Sequence, residues 1–308
     1  MSTLTNDFSW SVSRDQLFRT CRRAYYFNYY ASWGGWDAGA PPRTRQLYLL
    51  KQIKTLEMWA GSIVHETIAE TLNRYARKQT PIRTAELQAR ARQKLRAGWL
   101  EAVNREWQRR PKKNNLHGLY YGNGKTLPRE RTDRVRDLVY SSLATFVESE
   151  TLKALLAVPY MNWKPVDQLD TFQLDGLKVW CAVDCAFTDP AGHLTIVDWK
   201  TGREKPETLR LQLASYAHFA RQKWFASPDS IRLQGVFLGD GGRVSDYPLD
   251  DADLVEARDA ILKSAADMRQ VLDDPRHNIP MDEEQFEVCT ADWPCRTCKF
   301  KAACPKFA

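Results

Sequence analysis

The stretch Val197-Asp198-Trp199-Lys200-Thr201-Gly202 closes an apolar run that begins at Leu194. Side chains on a strand alternate between faces, so Asp198 and Lys200 point the same way. A carboxylate beside an ammonium at a strand end can hold a divalent metal and position a water. Upstream, Lys178 to Thr188 also reads as a strand, and Asp189-Pro190-Ala191-Gly192 between the two is a turn signal. A tight turn makes the pair an antiparallel hairpin and sets Asp184 roughly opposite Asp198. Two facing carboxylates repel unless a cation lies between them, which is the physical case for a metal site. By itself, Asp-x-Lys is more often a solvated ion pair on a strand. The surrounding residues decide.

Downstream, Leu211-Gln212-Leu213-Ala214-Ser215-Tyr216-Ala217 lies in a helical stretch read as 207–224, and Gln212 and Tyr216 share one face of it. Far upstream, Gly61-Ser62-Ile63-Val64-His65 sits in a long helical stretch, 47–79, with a break expected near Gly61. His65, Ile68, Ala69 and Leu72 fall on one face there. A histidine so placed is more often a hydrogen-bonded core residue than a ligand. Together these residues resemble the PD-(D/E)XK nuclease superfamily, in particular its RecB-type branch, which includes the AddB nuclease, exonuclease V and the CRISPR-associated RecB-like nucleases. That branch carries a G-x-x-x-H helix, an Asp on one strand, D-x-K on the next and a Q-x-x-x-Y helix. All four occur here in that order.

The resemblance implies an α/β fold with a restriction-endonuclease-like mixed-sheet core, a helical insertion and a C-terminal iron–sulfur region. It implies a metal-dependent DNA exonuclease acting on single-stranded or frayed ends. Asp184, Asp198, the main-chain carbonyl of Trp199 and His65 would hold Mg²⁺ or Mn²⁺. Lys200 would orient the attacking water or stabilise the pentavalent state, and Gln212 and Tyr216 would position the phosphate or support Lys200. The alternative is a DNA-binding or nuclease subunit of a helicase–nuclease, defence or CRISPR-adaptation complex, with a helicase or another DNA-processing protein as partner.

The tail carries Cys295-Arg296-Thr297-Cys298 followed by Cys304-Pro305. Cysteines at this spacing in a reducing compartment argue for a metal centre. Cys289, Cys295, Cys298 and Cys304 could form a local tetrathiolate zinc site. In the RecB-type proteins with a 4Fe–4S cluster, one cysteine precedes the nuclease core and three follow it. The resemblance therefore implies Cys21, Cys295, Cys298 and Cys304 as the ligands. Two positions depart from the branch: Arg22 stands where Pro usually follows the first cysteine, and Cys181 stands where Gly often precedes the aspartate. Cys181 and Cys185 read as strand packing.

The remaining chain fits one integrated nuclease domain. Its parts are residues 1–66 with the first cysteine and the His motif, a basic helical insertion at 67–160, the nuclease core at 161–280 and the cysteine tail at 281–308. Ser13 is the expected cap of a first helix bearing Leu17, Phe18, Cys21 and Tyr25. Residues 31–46 and 111–128 read as loops, and 84–110, 129–157 and 251–274 as helices. Strands are expected near 169–174, 178–188, 193–200 and 231–238. Of the 308 residues 27% are charged, and no apolar run is long enough to span a membrane. With no signal-peptide pattern either, a cytoplasmic location is expected. Arg74 to Arg136 holds 18 Lys or Arg against 5 Asp or Glu, a net of +13 in a chain of +7, so the remainder carries −6. Such a block points to a nucleic-acid partner. Gly122-Asn123-Gly124-Lys125-Thr126 imitates the end of a phosphate-binding loop, but Leu119 stands where that motif needs Gly and no strand precedes it, so nucleotide binding is not expected.

Overall fold

A computed structural model describes residues 4–122, 126–202 and 206–307. The loop-motif residues Asn123, Gly124 and Lys125 lie outside these. The chain forms two compact units interleaved in sequence: residues 1–56, 98–127 and 261–308, and residues 57–97 and 128–260. No helix among the described residues is long and apolar enough to cross a membrane.

The N-terminal helix α1 (Val12–Thr20) is capped by Ser11, whose hydroxyl accepts from the Arg14 N–H at 3.2 Å. The expected cap, Ser13, lies inside the helix. Cys21 leaves helical geometry and caps the next helix, α2 (Arg22–Tyr26), through its sulfur. Cys21 and Tyr25 are therefore not on one continuous helix. Helix α3 (Pro42–Lys51) starts inside the segment read as a loop, with Pro42 at its first turn, where a missing N–H costs nothing. The break expected near Gly61 falls instead at 52–55, where Lys54 bridges to Leu116. The Lys54 N–H donates to the Asn115 carbonyl, and the Lys54 carbonyl accepts from His117. Gly61 is inside α4 (Leu56–Lys78). Helix α5 (Thr84–Val103) stops short because Arg105 is left-handed (φ 54°), and a short turn at Glu106–Gln108 follows. Helix α6 (His117–Tyr120) occupies part of the segment read as a loop.

The expected helix at 129–157 is two, α7 (Arg129–Glu148) and α8 (Glu150–Ala157). Ser149 separates them because its extended backbone and hydroxyl cap α8. Strands β1 (Gln168–Leu174) and β2 (Leu177–Val183) form an antiparallel hairpin. The strand expected over 178–188 does not run through. At Asp184 the chain changes partners, and β3 (Cys185–Thr188) pairs instead with β4 (Leu194–Lys200). Helix α9 (Pro206–Lys223) carries the chain to β5 (Ile231–Phe237), which runs parallel to β4, and β6 (Arg243–Asp246) closes the edge. The mixed sheet thus has the order β3-β4-β5-β6. Its one parallel pair needs a crossover, which α9 supplies. Helix α10 (Asp251–Arg269) ends before 274, because β7 (Leu272–Asp274) pairs there with β8 (Ile279–Pro280).

β4 is one of the sheet's two interior strands and is buried from Leu194 to Trp199. Alternation sends Trp199 to one face, where its ring meets Phe146 of α7 edge-on at 5.3 Å. Asp198 and Lys200 go to the other face, against α9. Helix α7, within the stretch read as an insertion, is thereby part of the core beneath the sheet. The buried stripe of α9 is Leu209, Leu213, Tyr216, Ala217 and Ala220, a helical period facing the strands.

Two glycines leave room for Thr201 at the end of β4, Gly239 for its main chain and Gly61 for its side chain. A Cβ on Gly239 would lie 2.2 Å from the Thr201 carbonyl oxygen, and one on Gly61 would lie 3.3 Å from the Thr201 hydroxyl. The Leu238 N–H also donates to the Lys200 carbonyl at 2.7 Å. Gly239→Ala must therefore push main chain against main chain. It is expected to destabilise the fold by about 1–3 kcal/mol in urea unfolding.

Candidate active site and cysteine centre

The β3–β4 register pairs Cys185 with Val197, so Asp184 stands one step beyond, opposite Asp198. The partner change at Asp184 frees its side chain from ladder alternation. One of its oxygens accepts from the Trp199 N–H at 2.9 Å, and the other lies 3.2 Å from His65 Nδ1. His65 reaches it from α4. Asp198 is 1% exposed. Its Oδ1 accepts from Gln212 Nε2 at 2.8 Å. Its Oδ2 lies 2.6 Å from Lys200 Nζ, an ion contact lacking hydrogen-bond geometry, so this buried oxygen has no hydrogen-bond donor.

Gln212 is the hub of the polar face. Its carbonyl accepts from Lys200 Nζ at 3.0 Å, and its second amide hydrogen goes to the Tyr216 hydroxyl at 2.7 Å. Tyr216 in turn donates to the Ala182 carbonyl at 2.7 Å, tying the network to β2. Every donor of the amide is used, so its orientation is fixed from three sides. The structure thus brings Asp184, Asp198, Lys200, Gln212, Tyr216 and His65 into one contiguous network.

The electrostatics follow from burial and crowding. Burial, then the Asp184 charge, pushes the Asp198 carboxyl up to about 6, against the pull of Lys200. Burial opposes charging of His65, but Asp184 and Asp198 outweigh it and raise the imidazole to about 9. Tyr216, buried beside both carboxylates, is held well above its ordinary value. Sequence reasoning passed over Asp167, whose carboxyl is raised by burial, then by Asp184 and, after the opposing pull of His65, by Glu66. It carries no motif signal, being one Asp in a connector before β1. Its left-handed backbone (φ 50°) is visible only in three dimensions.

The family comparison matches residues 9–305 to the PD-(D/E)XK nuclease superfamily. This chain belongs to that superfamily. Its members are metal-dependent nucleases, so the chain is a phosphodiester-hydrolysing nuclease. No curated protein gives a significant match. Among solved structures, a crystal structure of SSO0001 is similar at 20% identity over 58% of this chain and 78% of that one, with a TM-score of 0.29. That likeness is too low to carry an argument.

The nuclease's donors suit a hard divalent cation. They are two carboxylates and an imidazole, and one carboxylate oxygen is buried without a hydrogen-bond donor. Among the described residues no three His, Cys, Asp or Glu side chains stand as a finished ligand set. Lys200 and Gln212 engage Asp198, while His65 and the Trp199 N–H engage Asp184.

The first unit gathers the cysteines. All seven in the chain are free of disulfides. Cys21 and Cys298 pack against the same apolar cluster, built from residues such as Phe27, Leu47 and Phe300. Cys21 Sγ accepts from the Ala24 N–H and Cys298 Sγ from the Phe300 N–H, each at 3.4 Å. Burial raises the Cys298 thiol, the Phe300 N–H opposes it, and the charges of Cys21, Cys304 and Cys295 raise it further. Cys289 shares the Ala291 carbonyl with Cys295, at 3.5 Å each. Five thiols therefore lie within electrostatic reach, chemically fit for a thiolate-ligated metal. Cys181 and Cys185 are buried on strands of the other unit.

His65 also makes stability depend on pH. Its folded value, about 9, lies above the ordinary 6.5. Its contribution is therefore complete below about pH 6.5 and is lost as pH rises through about 9. Urea unfolding with EDTA present should show stability falling over that window, and falling less in His65→Gln.

Proposed function

We propose that this chain is a Mg²⁺- or Mn²⁺-dependent deoxyribonuclease of the RecB-type branch, an exonuclease on single-stranded or frayed DNA ends. The observation that carries the reading is the closed Lys200–Gln212–Tyr216 network around buried Asp198, with His65 on the facing Asp184. Every chemical position of the motif set is filled, which argues against an inactive scaffold.

Asp184, Asp198, the main-chain carbonyl of Trp199 and His65 would hold the metal. When bound, it supplies Lewis acidity toward the scissile phosphate and lowers the pKa of water. Lys200, about a third exposed on its side chain, can turn from Asp198 toward a phosphate oxygen or the attacking water. Gln212 limits that movement by holding the ammonium at 3.0 Å, and Tyr216 fixes Gln212. His65 must give up its proton to become a ligand, so it starts as the cation that Asp184 holds. Asp184→Ala and Lys200→Ala should each reduce cleavage of labelled DNA by at least about a thousandfold, with single-strand affinity within about threefold of wild type. Undiminished cleavage by clean Lys200→Ala protein would remove the assignment.

We further propose that Cys21, Cys295, Cys298 and Cys304 hold a structural 4Fe–4S cluster that ties α1 and α2 to the tail. Support comes from the matched N–H···S bonds at Cys21 and Cys298 and their shared apolar seat. Zinc on Cys289, Cys295, Cys298 and Cys304 is the competing set. Anaerobically purified protein should contain iron and sulfide and absorb visible light. Cys21→Ser should lose both and Cys289→Ser should keep them. The opposite pattern, with zinc in place of iron, favours the competing set.

A further inference from the structure

Part of the positive block between Arg74 and Arg136 is paired in the fold. Lys94 bridges to Glu66 and Glu70, Arg131 to Glu57, and Arg136 to Asp133 and Asp137. In the first unit, one run is not. Arg105, Arg109, Arg110 and Lys112 are all exposed, and among the described residues none has an acidic partner.

Within this run lies a cavity of about 330 Å³, lined by Arg105, Trp107, Gln108, Asn115, Leu119 and Tyr120. The Trp107 and Tyr120 rings are 5.4 Å apart and tilted by 51°, so they make an aromatic corner. Asn115 is only 2% exposed. Its carbonyl is taken by the Lys54 N–H, yet its side-chain Nδ2 has no acceptor. A buried donor without a partner is a standing cost that a ligand acceptor would recover.

These features choose among occupants. No carboxylate or thiolate lines the cavity, so it does not suit a cation. A purely apolar ligand would leave the Asn115 amide unpaired. A paired base cannot enter, because its edge and faces are already taken in the duplex. An unpaired nucleobase fits each feature: its π-face on the aromatic corner, a ring carbonyl on the amide, and its phosphates on the unpaired arginines.

We propose that this cavity captures one unpaired nucleobase of a DNA strand, held by Trp107, Tyr120 and Asn115, with Arg105, Arg109 and Arg110 on the flanking phosphates. The inference rests on the reading that the substrate is DNA. It adds a physical reason for a single-strand preference, since a duplex would have to unpair a base to be held.

The test uses full-length protein carrying Lys200→Ala, so that the probe survives, and an oligothymidylate substituted with photoreactive 5-iodouracil. Crosslinks should map to Trp107 or Tyr120, and the same sequence in a duplex should not crosslink there. Arg105→Asn, a residue that tolerates the left-handed backbone, should weaken single-strand binding about fivefold and lower the salt slope by about one. Asn115→Leu, matched in size but without the donor, should lower crosslink yield. If it does not fold, the crosslink map and Arg105→Asn still decide. Normal binding with crosslinks only elsewhere, or both variants at wild-type affinity and yield, would overturn the proposal. Cleavage by wild-type protein of unmodified oligothymidylate separates the two readings. Cleavage without a pocket crosslink removes the pocket alone, whereas DNA neither bound nor cleaved removes both.

Discussion

The burial of Asp198 constrains everything around it. A carboxylate 1% exposed at the end of an interior strand is tolerable only if its charge is met on every side. Lys200 meets one oxygen and Gln212 the other. Gln212 can do so only if α9 packs flat on β4, which requires the apolar stripe from Leu209 to Ala220. The facing Asp184 adds repulsion, and burial with that charge pushes the Asp198 carboxyl up against the pull of Lys200 and His65. The fold therefore holds two carboxylates at close quarters, balanced by the Lys200 ammonium and the His65 imidazolium. Preorganised charge of this kind attracts a metal ion and is repaid when one binds.

The same constraint explains why this face is polar to its base. In most sheets a residue such as Tyr216, directly over the strands, would be apolar. Here its hydroxyl links the Gln212 amide to the Ala182 carbonyl, so the network ends on main chain rather than on another mobile side chain. A chain of bonds anchored on backbone loses little entropy when the metal and phosphate arrive.

The hairpin register, the shared face of Asp198 and Lys200, and the Gln212–Tyr216 pair were legible in the sequence because each follows from a local period of two or four. What was not legible arises from contacts distant in sequence. The split of the long strand at Asp184 comes from a change of partner, from β1 to β4, and residues on either side look equally strand-like. The helix break at Lys54 exists because Leu116 pairs there, some sixty residues on. The early start of α3 was masked by Pro41 and Pro42, which read as loop although Pro41 is the helix's N-cap residue and Pro42 serves at its first turn. Asp167 left no trace because its place depends on the connector's backbone, not on a motif.

Charge shows the same limit more sharply. The count over Arg74–Arg136 is a property of the sequence, but which of those charges remain available is a property of the fold. Acids outside the block, at Glu57, Glu66, Glu70 and Asp137, reach back and pair with it. Exposed pairs of this kind add little stability, yet each removes a cation from the field a phosphate would feel. The unpaired set then narrows, and in the first unit it concentrates on the short segment after α5. That segment is also where the backbone turns left-handed and an amide is left without a partner. A uniform basic surface would give affinity alone. Unpaired arginines flanking an aromatic corner and a lone buried donor give affinity together with a preference for a base that has left its helix.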